Sequence, residues 1–286
     1  MKKKPINRVG IIVKPNDDEA LASAAELTAW LQKLRVETIG EPLVLSQRNG
    51  AERGRQIAST SDLLVVLGGD GTMISTSRIA AETDVLVIGI NHGGLGYLTD
   101  FRIEEMFPAL KFVLEGKYEI DERVMLSVEH FRQDELLAVG CVLNDVVINK
   151  AALARIIEIE ISLDNLFVNS FRADGLIVST PTGSTAYNLS AGGPIVYPSM
   201  NAVVLTPICP FTLTNRPIVV PDNSVIELRL KNENEGVVLT LDGQVGYSMQ
   251  ATDLVVVRKS KATLKLVQPP NRNYFDVLRN KLKWGR

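Results

Sequence analysis

The sequence predicts an α/β N-terminal domain with a parallel sheet, followed by a mainly antiparallel β C-terminal domain. Three observations carry this. Apolar strands alternate with helical patterns through residues 1–120, as in βαβ units with right-handed crossovers. Near Tyr118 the pattern changes to β-rich segments divided by turn residues. Between them, Leu63–Leu67 is an unbroken apolar run, which reads as a strand buried on both faces.

In chain order, Arg8–Val13 reads as a short strand, with Asn16 or Asp17 as the N-cap of the helix that follows. Leu27, Trp30, Leu31 and Leu34 fall at helical spacing and form one buried stripe. Residues 36–45, interrupted by Pro42, make a weaker strand region. Leu63–Leu67 and residues 85–90 are strands with a helix over 72–81 between them, and residues 103–115 form a further helix. The β-rich part reads as strands at 124–131, 136–148, 156–163, Gly175–Ser179, 203–206, 225–230 and Val237–Leu241. Asp164-Asn165, residues 232–236 and Asp242-Gly243 are its turns. Phe275, Leu278 and Leu282 give the tail a helical face. These readings divide the chain into domains at 1–120 and 121–268, with a tail at 269–286 that packs back on the first domain.

Composition narrows the function. The chain has 286 residues, 45% of them hydrophobic, enough for two real cores. A net charge of −2 gives no general attraction to nucleic acid or to anionic membrane. Lys2-Lys3-Lys4 is followed by polar Asn7 and Arg8, not by the apolar core of a signal peptide, and no apolar stretch approaches a membrane span. Cys141 and Cys209 are no disulfide framework. A cytoplasmic protein is the expectation.

The chemistry concentrates where the central strand ends. Gly68-Gly69-Asp70-Gly71-Thr72 places three glycines around one carboxylate. Glycine lets backbone amides approach a phosphate without a Cβ in the way. In open α/β sheets, ligands gather at the carboxyl ends of strands. A carboxylate inside a phosphate cradle is unusual; it should hold a metal or take a proton, and the second suits phosphoryl transfer to a hydroxyl. The same residues also fit a tight turn in which Asp70 or Thr72 caps the next helix.

Three further segments stand out. Asn91-His92-Gly93-Gly94-Leu95-Gly96-Tyr97-Leu98 follows the next strand and sets a second glycine loop beside the first. Asn144-Asp145 interrupts an apolar strand, and whichever of the two points inward needs a partner. Residues 180–194 are rich in small and hydroxylated side chains around Tyr187. Such a segment leaves space for a ligand, offers hydroxyls to a ribose and an aromatic face to a base. Other nucleotide and metal signatures are missing. The sequence has no G-x-x-x-x-G-K-[ST], no G-x-G-x-x-G and no G-x-S-x-G. His92 and His130 with two distant cysteines do not make a zinc site, and His130 reads as structural.

Taken together these segments resemble the bacterial NAD kinases over nearly the whole chain. Residues 68–72 match that family's Gly-Gly-Asp-Gly-Thr motif, and Asn144-Asp145 its Asn-Glu/Asp motif with the shorter acid. Asp174-Gly175 and residues 180–194 match its long substrate-binding segment, and Leu241-Asp242-Gly243-Gln244 a late turn. The resemblance implies that NAD is phosphorylated on the 2′-hydroxyl of its adenosine ribose to give NADP, at a site between an α/β nucleotide-binding domain and a β-rich dinucleotide-binding and oligomerisation domain. It makes Asp70 the general base, and Gly68, Gly69, Gly71 and Thr72 the phosphate-binding turn. Asp70 and Gly71 also join the NAD site. Asn144 and Asp145 hold its ribose and adenine region. Arg155, Arg172, Asp174, Thr185, Ala186, Tyr187, Asn188, Leu189, Ser190 and Gln244 complete it.

The resemblance implies ATP as the donor, with polyphosphate as an open alternative; Mg²⁺ is expected to arrive with ATP, and no protein metal site is implied. Neither nucleic acid nor membrane is expected as a partner, and the resemblance implies assembly as a homodimer or homotetramer. Two other readings fit parts of the pattern. A lipid kinase of diacylglycerol type shares the glycine motif, although Met73-Ile74-Ser75 replaces the Asn-Glu that often follows it there. A non-catalytic dinucleotide-binding regulator is the other, although Asp70 is present.

Overall fold

The computed structural model describes residues 4–94, 96–151, 155–231, 236–270 and 273–284. In chain order the elements are β1 (Arg8–Val13), α1 (Asp18–Lys33), β2 (Glu37–Thr38), α2 (Gly50–Thr60), β3 (Leu63–Leu67), α3 (Asp70–Ala80), β4 (Leu86–Asn91), β5 (Phe101–Arg102) and α4 (Met106–Leu114). Then follow β6 (Glu119–Arg132), β7 (Glu135–Val142), β8 (Asp145–Lys150), β9 (Ile157–Leu163), β10 (Leu166–Ala173), β11 (Gly175–Ser179) and the helical turn α5 (Tyr187–Ser190). The last are β12 (Ala202–Ile208), β13 (Ile218–Pro221), β14 (Ile226–Leu230), β15 (Val237–Leu241), β16 (Val245–Met249), β17 (Leu254–Gln268) and α6 (Tyr274–Leu282). The chain forms two compact units: Met1–Glu122 with Leu264–Arg286, and Arg123–Thr263.

In the first unit β2, β1, β3 and β4 pair side by side, all parallel, and the end of β17 joins β4 in the same sense. The crossovers from β1 and β3 run to opposite sides, so the sheet switches direction between these two strands, which is where such sheets bind ligands. β3 is buried along its whole length. α1 starts at Asp17, whose carboxylate accepts the Ala20 amide, and packs Ala20, Ala24, Leu27 and Leu31 on the sheet. α6 buries Tyr274 and Leu278 but leaves Phe275 exposed.

Two local expectations change here. The weak strand over 36–45 shrinks to two residues of β2, because Gly40 turns with φ +69° and Pro42 follows; Leu43 alone returns to bridge Ile12. α2 has no apolar stripe to announce it. It lies close because Gly54 has no side chain: a Cβ there would stand 2.7 Å from Leu45 and 2.8 Å from Ile79.

The second unit is mainly antiparallel. β13-β12-β11-β8-β15-β16 form one sheet. β10, β9, β14 and the first part of β17 form another run, and β6 pairs with β7. The core gathers alternate residues of these strands, among them Val146, Ile148, Leu176, Val178, Leu205, Leu228, Val255 and Val257. The apolar run 254–257 is therefore mostly interior. The strand expected over 136–148 breaks into β7 and β8 at Leu143-Asn144. There the Asp242 carboxylate accepts the amides of Leu143, Asn144 and Asp145 at 3.1, 2.7 and 3.2 Å, bonds that a straight ladder would have made with a neighbouring strand. Asp242 itself has φ +51° and Gly243 φ +64°, the two central residues of the turn Leu241–Gln244 that joins β15 to β16. Most of the turn expected at 232–236 lies outside the described residues. His130 is structural: its Nε2 lies 2.9 Å from buried Asp253, which also accepts from Arg132.

Candidate functional site

Asp70 is the first residue of α3, immediately beyond β3 and Gly69. Its two carboxylate oxygens accept backbone amides from the second glycine loop, Tyr97 N to Oδ2 at 2.9 Å and Leu98 N to Oδ1 at 3.0 Å. Asp70 is half-buried and Gly71 exposed, and apart from its chain neighbours and its own helix backbone no atom stands within 4 Å of where a Gly71 Cβ would be. Gly68 is closed in, since a Cβ there would fall 2.6 Å from the Thr72 hydroxyl. The turn thus presents a fixed carboxylate at a helix N-terminus, where amides and helix dipole favour phosphate.

In the second unit, a pocket of about 330 Å³ opens on the outer face of β8 and β15. Asn144, Asp145, Ala186 and Tyr187 line it, and Val147, Asn149, Thr240, Asp242 and Gly243 complete the lining. Its size falls in the lower part of the range of small-molecule sites, roughly 300–1,000 Å³. Asp145 is buried, and that burial, together with the charge of Asp242, pushes its carboxyl up to about 7. Tyr187 keeps 41% of its surface exposed. The segment beneath it is held down by its own polar groups. Asn188 is fully buried; its amide donates to the carbonyls of Ser184 and Pro194 and accepts from Thr206 at 2.6 Å. These bonds tie the side chain to its own segment and to β12. Gly183 lies directly on the Asn144 backbone, 2.1 Å from the Asn144 carbonyl to a would-be Cβ.

The remaining sequence-expected residues lie outside this lining. Thr185 donates to the Thr182 carbonyl, Leu189 is half-buried and Ser190 exposed. Asp174 faces Lys150 across 3.5 Å, and the Arg172 guanidinium lies over the Phe211 ring at 5.3 Å. Arg155 and Gln244 are exposed. Sequence reasoning missed Asn149 and Thr240. The one available signal was alternation, which puts Asp145, Val147 and Asn149 on the same face of β8.

Residues 9–118 match the sequence pattern of the ATP-NAD kinase N-terminal domain, and residues 143–269 that of the ATP-NAD kinase C-terminal domain. The chain belongs to the NAD kinase family. The NAD kinase of Geotalea daltonii is 45% identical over 282 residues, spanning 98% of this chain and 99% of the relative. That of Trichlorobacter lovleyi is 47% identical over 287 residues with the same coverage. Yeast NADH kinase complexed with NADH superposes with a TM-score of 0.88 at 25% identity, covering 99% of this chain and 89% of that one. An NAD kinase from Archaeoglobus fulgidus in complex with ATP gives 0.76 at 26%, covering 96% and 98%. The chain is accordingly a kinase.

Among the described residues no three acidic, histidine or cysteine side chains converge as metal ligands. No helix among them is long and apolar enough to cross a membrane.

Proposed function

We propose that this NAD kinase transfers the terminal phosphoryl group of ATP to the 2′-hydroxyl of the adenosine ribose of NAD. The bond formed joins the ribose 2′-oxygen to the γ-phosphorus. The bond broken joins that phosphorus to the oxygen bridging it to the β-phosphate, which leaves as ADP. The hydroxyl proton passes to Asp70. What supports this is the placement of Asp70, a carboxylate at a strand's carboxyl end with its oxygens oriented by two backbone amides. Phosphoryl transfer leaves a protein mainly the tasks of positioning and charge stabilisation. Gly68, Gly69, Gly71 and Thr72 would present amides to the phosphates. Asn144, Asp145, Ala186 and Tyr187 would receive the dinucleotide, with Arg155, Arg172, Asp174, Thr185, Asn188, Leu189, Ser190 and Gln244 at its margins. A divalent cation, Mg²⁺, enters as part of the ATP substrate, held by phosphate oxygens and water.

Purified protein incubated with ATP, Mg²⁺ and NAD should produce NADP, read through an NADP-specific dehydrogenase. No NADP with ATP or with polyphosphate would refute the proposal, and a lipid phosphorylated in its place would transfer it to the other kinase reading.

Assembly belongs to the same reading. Leu136, Leu137 and Val139 on β7, and Leu166 and Phe167 at the β9–β10 turn, are exposed apolar groups of the kind that mark interfaces. We therefore read the protein as a cytoplasmic homodimer or homotetramer joined through the second unit. Light scattering over a dilution series, with NADP formation at each point, should show activity falling as the assembly dissociates; a fully active monomer contradicts it.

A further inference from the structure

The Asp70 carboxylate is oriented by two amides that belong to a loop with little reason to stay in place. Gly93, Gly94 and Gly96 make the loop conformationally costly to hold. Two side chains at its ends secure it. Thr99 is completely buried, and its hydroxyl accepts the Gly96 amide at 2.9 Å. Asn91, the last residue of β4, donates from its amide to the Gly94 carbonyl at 2.8 Å and to the Thr99 hydroxyl at 3.3 Å, and accepts the Gly93 amide at 3.1 Å. The next two amides after Gly96 are those that bind Asp70. Space between the loop and the carboxylate is minimal: a Cβ on Gly96 would stand 2.0 Å from Asp70 Oδ1 and 2.5 Å from the Thr99 hydroxyl.

We propose that Thr99, braced by Asn91, is a positioning residue for the phosphoryl transfer, acting through the Gly96 amide to hold the Tyr97 and Leu98 amides on Asp70. It touches neither substrate in this role. A carboxylate has about four acceptor directions. Two are occupied by these amides, which fixes the direction of the other two and so the line along which a hydroxyl proton can be accepted. Loss of the Thr99 hydroxyl frees the loop, and the carboxylate turns with it. The cost falls on the chemical step, because misplacement of a reacting group by about an ångström costs on the order of a hundredfold. The proposal rests on the reading of Asp70 as the base.

The test compares Thr99→Val, which keeps the shape and removes the hydroxyl, with Thr99→Ser, which restores it. Thr99→Val should lower kcat by ~10- to 100-fold with the KM for NAD within about twofold, since only transition-state positioning is lost. Thr99→Ser should recover most of the turnover. Amide exchange over residues 97–98 should accelerate in Thr99→Val and remain slow in Thr99→Ser. In an Asp70→Asn background, Thr99→Val should add almost nothing. A full additional loss in that background, or equal losses in kcat and in NAD affinity, overturns the proposal. Should Asp70→Asn prove nearly as active as the parent, the base assignment itself has failed, and the positioning role fails with it. If Thr99→Val does not fold, Asn91→Ala, at a half-buried position, takes its place with the same expected pattern and the same refuting outcomes.

Discussion

Asp70 and Asp145 are both carboxylates expected at the site, and their surroundings are opposite. Asp70 is half-buried and receives two backbone amides from a distant loop. Asp145 is 5% exposed and sits beside Asp242, whose own oxygens take three amides. The amides that could have served Asp145 serve its neighbour, including that of Asp145 itself. Burial and the Asp242 charge then raise Asp145 to about 7. In the proposed reaction the first takes a proton from the substrate, while the second carries one of its own near neutrality.

The sharpest way to break the first half of this contrast is Gly96→Ala. The new methyl would collide with Asp70 Oδ1 at 2.0 Å and push the carboxylate off its amides. We expect turnover to fall by on the order of a hundredfold with the thermal midpoint little changed. Unaltered turnover in a folded variant would separate the loop from catalysis.

The second half concerns binding, and the expected effects are smaller. Tyr187→Ala should weaken NAD binding by ~1–3 kcal/mol, the range for a base stacked on an aromatic ring. Calorimetry checks this, and unchanged affinity would make Tyr187 a structural residue.

The last effect is on stability, and it depends on pH. Asp145 is raised from its ordinary 3.8 to about 7 in the folded protein. Between those values the folded state holds a proton that the unfolded chain has released, so stability falls as pH rises from about 4 to about 7 and levels off above. Asp145→Asn should remove this component of the slope. Urea unfolding at pH 5 and pH 8 in both proteins measures it, and an identical slope in the variant would place the proton elsewhere.

Much of the fold was legible because its signals are local. Leu63–Leu67 reads as a doubly buried strand from five residues, and the structure buries all five. α2 was invisible because its packing relies on the absence of a side chain at Gly54, a property that no apolar stripe displays. β10 and β16 were missed because they carry exposed or polar residues at most positions. For the site, Asp70 was legible from its glycines, while the amides that orient it come from 27 and 28 residues further on. Asp242 read only as a turn residue. Its three hydrogen bonds reach back 97 to 99 residues, and nothing in the hairpin sequence announces them. The hydroxyl-rich stretch at 180–194 read as a substrate-binding segment, and its sequence did not show that Thr180, Ser184 and Asn188 also bond to their own segment and to the chain packed beneath it.

Asp70→Asn tests the division of labour most directly, with NAD binding by calorimetry and NADP formation measured on the same preparation. The amide keeps the shape of the side chain but accepts no proton. We expect NAD affinity within about twofold of the parent and turnover lower by on the order of a hundredfold or more, as loss of a general base produces. Turnover close to the parent's, or affinity falling as far as turnover, would contradict the assignment of Asp70 as the base.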